Sequence, residues 1–410
     1  MKKILFITGH ELNALDYGSV LRARNIARIL SRHGEVRVLL GSRYHDVLQK
    51  AKPSQAGFEL AGTVRFWPDG YSLPGRIWAA LHGGFLDMEN YQARLQDRSR
   101  VQALISQHDL VWVHGLETAN AFGIWQWPKS VLDVDDIPSS VYRLRLSQPG
   151  SIRGKYFNWK QMILWRRNEK RLRWRFDAIC VCSEPDREKL GREKVFVLPN
   201  AFEPPAIPAP RHPATPPQIG FVGTFVYWAN CEGVQWFIDK VWPLILNRFP
   251  QARLRLAGER SGNLFKGRNI EALGWVKDMQ NEMANWSLAI VPVLAGGGTR
   301  IKILEAFSRK CPVVSTSVGC FGHDVENERE LMVADTPEDF ATRCVRLLEN
   351  PSEAARLADN GWIQFSKTAT WESQSGRVAE IVANVCGSQS HPNDTDAAPT
   401  WKLIPKTIST

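Results

Sequence analysis

Residues 292–316 read PVLAGGGTRIKILEAFSRKCPVVST. An apolar run ends at three glycines. A threonine and two basic residues follow, then apolar positions at helical spacing, then a second short apolar run. The order is strand, loop, helix, strand, which places the glycines at a strand's carboxyl end and a helix's amino end. A helix start presents free backbone N–H groups and the positive end of a dipole. Glycines remove the Cβ atoms that would keep an anion from those groups, and they permit the positive φ values of an anion nest. The pattern predicts Thr299 as the helix cap, with Ile301, Leu304, Phe307 and Ser308 turned to the core. Arg300 and Lys302 fall in the first turn, where a cation opposes the dipole, so they point to a bound phosphate and not to helix stability. Glu305 suits a ribose diol, whose two hydroxyls its carboxylate can accept. The competing reading is a glycine-rich surface loop with an exposed Lys302–Glu305 ion pair.

The same alternation extends in both directions. Around this stretch lie the short apolar runs QIGFVGT, ARLRLAGE, NIEALGWV, LAIVPV, PVVST and ELMVAD. Further upstream are KKILFIT, EVRVLLG, DLVWVHG, SVLDVDD, AICVCSE and VFVLPN. Helical patterns separate them, as in SVLRARNIARILSRHG, where Val20, Ala23, Ile26, Ala27 and Leu30 keep helical spacing and Gly34 suits a C-cap. Such repetition reads as α/β: parallel sheets covered on both faces. Between the two sets of runs, half of the residues of PPAIPAPRHPATPP (204–217) are proline, which no helix or sheet interior holds. The expected architecture is therefore two doubly wound Rossmann-like domains facing across a cleft. Residues 1–203 form the first domain, 204–217 a stiff linker, 218–365 the second domain and 366–386 a terminal helix. The polar tail 387–410 is expected to be disordered. Ligands of such sheets bind outside the carboxyl ends of the strands.

Composition sets further bounds. At 410 residues the chain exceeds one ordinary core. Its 44% hydrophobic and 23% charged residues are ordinary for a soluble protein, but a net charge of +10 points to an anionic partner. The seven cysteines include no CxxC pair, and Cys180 and Cys182 share a strand face, so a reducing compartment is expected and neither a disulfide framework nor a zinc site. The apolar run of MKKILFITG is short and ends in Thr-Gly, and it reads as a first strand more readily than as a signal peptide. No run approaches the length of a membrane span.

PVLAGGGTRIKILEAFSRKCPVVST resembles the nucleotide-sugar motif of the large retaining glycosyltransferase family with the GT-B fold, often called family 4. QIGFVGTFVYWANCEGVQWFI, LRLAGE, NIEALGWV and VFVLPNAF fall in the order the resemblance requires. It implies a donor nucleotide on the second domain, held by Gly223, Gly296, Gly297, Gly298, Thr299, Arg300, Lys302 and Glu305, and an acceptor on the first. Some members carry two glutamates separated by seven residues. Glu305 matches the second, whereas the first falls on Gly297, and GTFVYWAN lacks the basic residue often found there. Arg300 and Lys302 are then expected to carry more of the diphosphate charge. The resemblance also makes His114, at the end of DLVWVHG, an active-site residue that orients the transferring sugar, where position alone favours a structural role. His114, Arg300 and Lys302 are the expected catalytic residues.

Gly18 and Ser19, in DYGSVLRARN, are read as a cleft-lining loop that approaches donor phosphate or acceptor, and equally as a turn. In DVDDIP, Asp133 and Asp135 share one strand face and match the Asp-x-Asp of metal-dependent transferases of another fold. Too few ligands are visible for a cation. Contact of Asp135 and Asp136 with acceptor hydroxyls is the preferred reading, with no metal and no cofactor beyond the nucleotide diphosphate sugar, which is a substrate.

The expected activity is retaining transfer of a sugar from a nucleotide diphosphate sugar to a saccharide or lipid-linked acceptor, in cell-surface polysaccharide or glycan synthesis. Two alternatives remain open: a non-catalytic module binding RNA or an acidic polymer on a GT-B scaffold, and a sugar-nucleotide epimerase. No RNA-binding motif is present, so no nucleic-acid partner is expected. The basic, tryptophan-containing segment 158–177, NWKQMILWRRNEKRLRWRFD, gives the last expectation: a cytoplasmic protein peripheral at the anionic inner face of the membrane, with Trp159, Trp165 and Trp174 at headgroup level. Its competitor is a solvated cationic helix packed on the first domain.

Overall fold

The computed structural model describes residues 1–13, 18–49, 51–68, 91–148, 150–205, 210–296 and 298–387. Among them are two sheets. The first contains β1 (Lys2–Thr8), β2 (Gly34–Ser42), β3 (Ser54–Gln55), β4 (Phe58–Pro68), β5 (Tyr91–Ala93), β6 (Leu110–His114), β7 (Ser130–Val134), β8 (Ala178–Val181) and β9 (Val195–Val197). Its order is β3-β4-β2-β1-β6-β7-β8-β9, with β5 paired to β4. Only β3 and β5 run antiparallel to β4 among the described pairs. The second sheet contains β10 (Gln218–Val222), β11 (Arg253–Ala257), β12 (Ile270–Gly274), β13 (Leu288–Val291), β14 (Val313–Ser315) and β15 (Met332–Val333). Its order is β12-β11-β10-β13-β14-β15, all parallel.

Each apolar run quoted above contains one of these strands. The central strands are buried on both faces, so they read as continuous apolar runs; Phe6 lies between Val38 and Trp112 in register, all three fully buried. The additions are β3, β4 and β5 at one edge. FELAGTVRFWP has a mostly half-buried pattern with no clear period, which is why it carried no strand signal.

Strand order reverses direction between β1 and β6 in the first sheet and between β10 and β13 in the second. Those switch points are where doubly wound sheets open a crevice. His10 follows β1, His114 ends β6, Gly223 follows β10 and the glycine loop follows β13.

Residues 210–217 run against the second sheet's layer, where His212 N and Ala214 N donate to Ala284 O and Asn285 O. Residues 206–209 and the expected tail from 388 onward lie outside the described residues. The terminal helix starts later than expected. A helix spans Pro351–Thr368, the chain breaks at Ala369, and Thr370 Oγ1 accepts from Ser373 N to open the next, Trp371–Gly387. That last helix crosses back to the first sheet. Trp371, Val378, Ile381, Val382 and Val385 are buried with Ile4, Phe6, Ala23 and Ile26. Each fully buried aliphatic side chain contributes about 1.5–3 kcal/mol, so the helix is a stable tie between the two halves.

Candidate active site

On the second-domain side, β13 ends in the quoted loop and the helix Ile301–Ser308 follows. Ile303, Leu304, Ala306, Phe307 and Ser308 are buried. Ile301 is not in that core. It is half-buried and points across the cleft at Gly18, where a Cβ would lie 2.8 Å from its Cδ1. Gly18 and Ser19 open the helix Gly18–Leu30, and the nearest neighbour of Gly18 across the cleft is this side chain. Thr299 does not cap the helix. Arg300 holds the N-cap position with no side-chain cap bond, and Thr299 Oγ1 instead accepts from Asn200 Nδ2 at 2.9 Å. Gly297 lies outside the described residues. Gly298 has φ 62°, and a Cβ there would fall 2.0 Å from Asp136 Oδ1, so both its backbone and its neighbour demand glycine.

The buried Arg300 side chain folds back toward the loop, with Nη1 donating to Gly298 O at 3.0 Å. A Cβ on Gly296 would meet Arg300 Nη2 at 2.8 Å and the Tyr227 hydroxyl at 2.9 Å. Lys302 Nζ donates to Asn230 Oδ1 at 2.5 Å, lies 4.3 Å from the Phe221 ring centroid, and would lie 3.2 Å from a Cβ on Gly223. Burial and the neighbouring Arg300 charge lower the Lys302 pKa to about 7, against the pull of Glu305. Glu305 is also largely buried, and burial raises its pKa. Its Oε1 pairs with Arg309 Nη1 at 3.1 Å, and no Lys302–Glu305 ion pair forms. The exposed surface pair of the competing reading is therefore not what the chain builds. His323, pushed down to about 4 mainly by burial, stays neutral and donates from Nε2 to Arg300 O at 3.1 Å, which fixes the helix entry.

On the first-domain side, His114 and Asp133 stand opposite each other in register. His114 Nδ1 lies 2.8 Å from Asp133 Oδ2. Arg22 grips the same carboxylate through Nε and Nη2, at 3.0 and 2.6 Å, and its Nη1 donates to Asn200 Oδ1 at 3.0 Å. All four side chains are buried. Burial alone would raise the Asp133 pKa; Arg22 and His114 outweigh it and hold it at about 2. Asn200 also bridges to Thr299 in the glycine loop and, at 3.3 Å, to Asp135 Oδ1. A continuous polar chain thus runs from His114 to the glycine loop. The ring of His10 lies 5.8 Å from that of His114, and crowding in the cleft with the nearby His114 depresses its pKa.

The three aspartates of DVDDIP have separate fates. Asp133, half of the Asp-x-Asp match, is consumed by Arg22 and His114 inside the sheet. Asp135 is braced by Asn200 and by Cys182 Sγ, which lies 3.2 Å from its carbonyl oxygen. Asp136 is exposed in the cleft beside Gly298; enclosure by the walls and the Asp135 charge raise its pKa, and Arg300 opposes this.

Arg22, Asn200, Asn230, Tyr227, His10 and His323 are the site residues that sequence reasoning passed over. Arg22 had a signal: it sits one turn before Ile26 on the apolar stripe of its helix, where a charge needs a buried partner.

Residues 216–350 match the family model described as "Glycosyl transferases group 1". Over 240 residues the chain is 24% identical to "Uncharacterized 44.6 kDa protein in cps region" of Klebsiella pneumoniae, a match covering 54% of this chain and 60% of that one. Among solved structures, sucrose-phosphate synthase (tll1590) from Thermosynechococcus elongatus superposes with a TM-score of 0.65 at 15% identity, over 94% of this chain and 100% of that one. Anabaena Alr3699/HepE in complex with UDP-glucose gives 0.63 at 16% identity, over 93% and 100%. The fold is that of the GT-B glycosyltransferases. The stretch that matches the group 1 model, residues 216–350, contains the whole glycine loop and its helix.

Glu305→Gln tests the expected ribose contact. Glu305→Gln should weaken nucleoside diphosphate binding about tenfold, roughly 1.4 kcal/mol, and leave inorganic pyrophosphate unaffected. Equal losses for both ligands in calorimetry would remove the ribose role.

Proposed function

We propose that the protein is a retaining glycosyltransferase of family 4 type that moves a sugar from a nucleotide diphosphate sugar to a saccharide or lipid-linked acceptor in cell-surface polysaccharide synthesis. The observation that carries the reading is the pair Arg300 and Lys302. Two cations are held side by side, largely out of water, at a helix start after a switch-point strand. Burial and mutual repulsion make such a pair costly, and a diphosphate offsets both. Glu305 takes the ribose, and Gly223, Gly296, Gly298 and Thr299 shape the loop around the phosphates. Anabaena Alr3699/HepE, of the same fold, is described in complex with UDP-glucose, which supports a sugar nucleotide as donor.

The acceptor lies on the first domain, near His114, Asp135 and Asp136. His114 orients the transferring sugar, and the departing diphosphate takes the acceptor's proton. Anomeric configuration is kept by attack from the face the leaving group vacates. The reading assigns the diphosphate charge to Arg300, Lys302 and the helix start, with no cofactor. It places the protein in the cytoplasm, at the inner face of the membrane.

Screening UDP-, GDP- and ADP-sugars for thermal stabilisation tests the donor. At about 100 times its Kd a true donor adds roughly 2.7 kcal/mol. No shift from any sugar nucleotide, with no transfer detected, would return the non-catalytic reading to first place.

A further inference from the structure

From Ile137 to Asn168 the sequence has no aspartate or glutamate and seven arginines and lysines. This stretch folds as two helices, Pro138–Ser147 and Ile152–Glu169, packed together. Glu169, one residue beyond it, staples them by accepting from Ser139 N at 2.8 Å and from Ser139 Oγ at 2.5 Å. The second helix buries Gln161, Trp165 and Glu169, one side chain per turn. Trp165 is only 1% exposed and packs in the core with Leu172 and Phe176, so it cannot sit at a headgroup as the sequence suggested. Arg175 is buried as well.

The exposed apolar surface lies earlier, at the outer end of the helix. Ile152 is 88% exposed, Tyr156 64%, and Phe157 and Trp159 each 51%. Ile152, Tyr156 and Trp159 recur at i, i+4 and i+7, which puts them on one face. The Tyr156 and Trp159 rings lie 6.1 Å apart. Arg153, Lys155 and Lys160 are exposed among them. Large aromatics displayed to solvent over two turns, interleaved with cations, are unusual on a monomer's surface.

We propose that this helix end docks on an anionic lipid surface. Ile152, Tyr156 and Trp159 enter the headgroup layer, and Arg153, Lys155 and Lys160 meet lipid phosphates. Charge selects this occupant. A symmetric contact with a second copy would set the same acid-free, basic stretch against itself, whereas an anionic surface complements it. Among the described residues no helix is long and apolar enough to cross a membrane. The placement serves the cleft. The helix Pro138–Ser147 begins just after Asp136, spans about 15 Å, and brings Tyr142 within 6.4 Å of Phe157, ring to ring. Gln148, at the far end of that helix, donates to Leu294 O at 3.5 Å, so a lipid-borne acceptor would arrive beside the donor loop. That last step rests on the transferase reading; the docking itself does not.

Vesicle sedimentation decides it, with phosphatidylglycerol–phosphatidylcholine vesicles against phosphatidylcholine alone. The protein should bind the anionic vesicles at low salt, at least tenfold less at high salt, and at least tenfold less to neutral vesicles. Two variants, Tyr156→Ser/Trp159→Ser and Arg153→Gln/Lys155→Gln/Lys160→Gln, should each lose at least tenfold. Both should keep nucleoside diphosphate affinity within twofold, which distinguishes loss of docking from loss of the donor site. No association with anionic vesicles at low salt overturns the proposal. So does unchanged binding in both variants, or concentration-dependent dimerisation that the aromatic variant abolishes in the absence of lipid.

Discussion

Alanine at Arg300 or at Lys302 should slow sugar transfer by about 10²–10³-fold, the usual loss when one fixed group facing developing transition-state charge is removed, roughly 2.7–4 kcal/mol. Both groups are oriented before any ligand arrives, Arg300 by Gly298 O and Lys302 by Asn230. Nucleoside diphosphate affinity should fall too, since the product carries the same charge. Lys302 adds a pH signature. Its pKa of about 7 rises once a diphosphate sits beside it. Above pH 7 the free enzyme must then take up a proton to bind, so Kd should increase by up to about tenfold per pH unit until the pKa of the complex is reached. Lys302→Met should flatten that slope, and Arg300→Ala should keep it but move its onset to higher pH, since the Arg300 charge helps lower the Lys302 pKa. Calorimetry from pH 6 to 9 reads both effects, and unchanged affinity in both variants would remove the donor site.

The parts of this cleft legible in the sequence are the ones built locally. LAIVPV followed by glycines and a helical pattern fixes a strand end and a helix start within a dozen residues, and Lys302 and Glu305 follow from that spacing. The polar chain behind His114 is not local. Arg22 and Asp133 are 111 residues apart, and Asn200 and Thr299 are 99 apart in opposite halves of the chain. No periodicity reports such pairs. Hence Thr299 read as a cap when it is a bridge, and Asp133 read as half of an Asp-x-Asp when Arg22 already owns it. Burial inverts readings in the same way. The tryptophans of 158–177 looked equivalent in sequence, yet helical phase sends Trp165 inward and leaves Trp159 outside. Strand β4, one in from the sheet's edge, escaped because half-buried positions blur the alternation on which strand reading depends.

The buried cluster of His114, Asp133 and Arg22 should give the largest stability change in the molecule. Asp133→Ala leaves the Arg22 guanidinium fully buried without its counter-charge, a loss of about 3–5 kcal/mol. Acid should mimic it in part. The Asp133 pKa falls from 3.8 to about 2 on folding, so its stabilisation is complete above about pH 4 and is lost as pH drops toward 2. That shift corresponds to about 2 kcal/mol, and urea titrations at pH 6 and pH 2.5 should differ less for Asp133→Asn than for the parent by about that amount. His114→Ala separates chemistry from folding. Its ring sits at the edge of the cluster, beside His10, and Arg22 keeps Asp133 paired without it. Loss of this buried ring should cost about 1–3 kcal/mol of stability, less than Asp133→Ala, while kcat falls at least about a hundredfold, as expected when a positioned group is lost, and donor affinity holds. A kcat within twofold of the parent would make His114 a structural partner of Asp133. A matching drop in donor affinity would place it on the nucleotide and not on the sugar being moved.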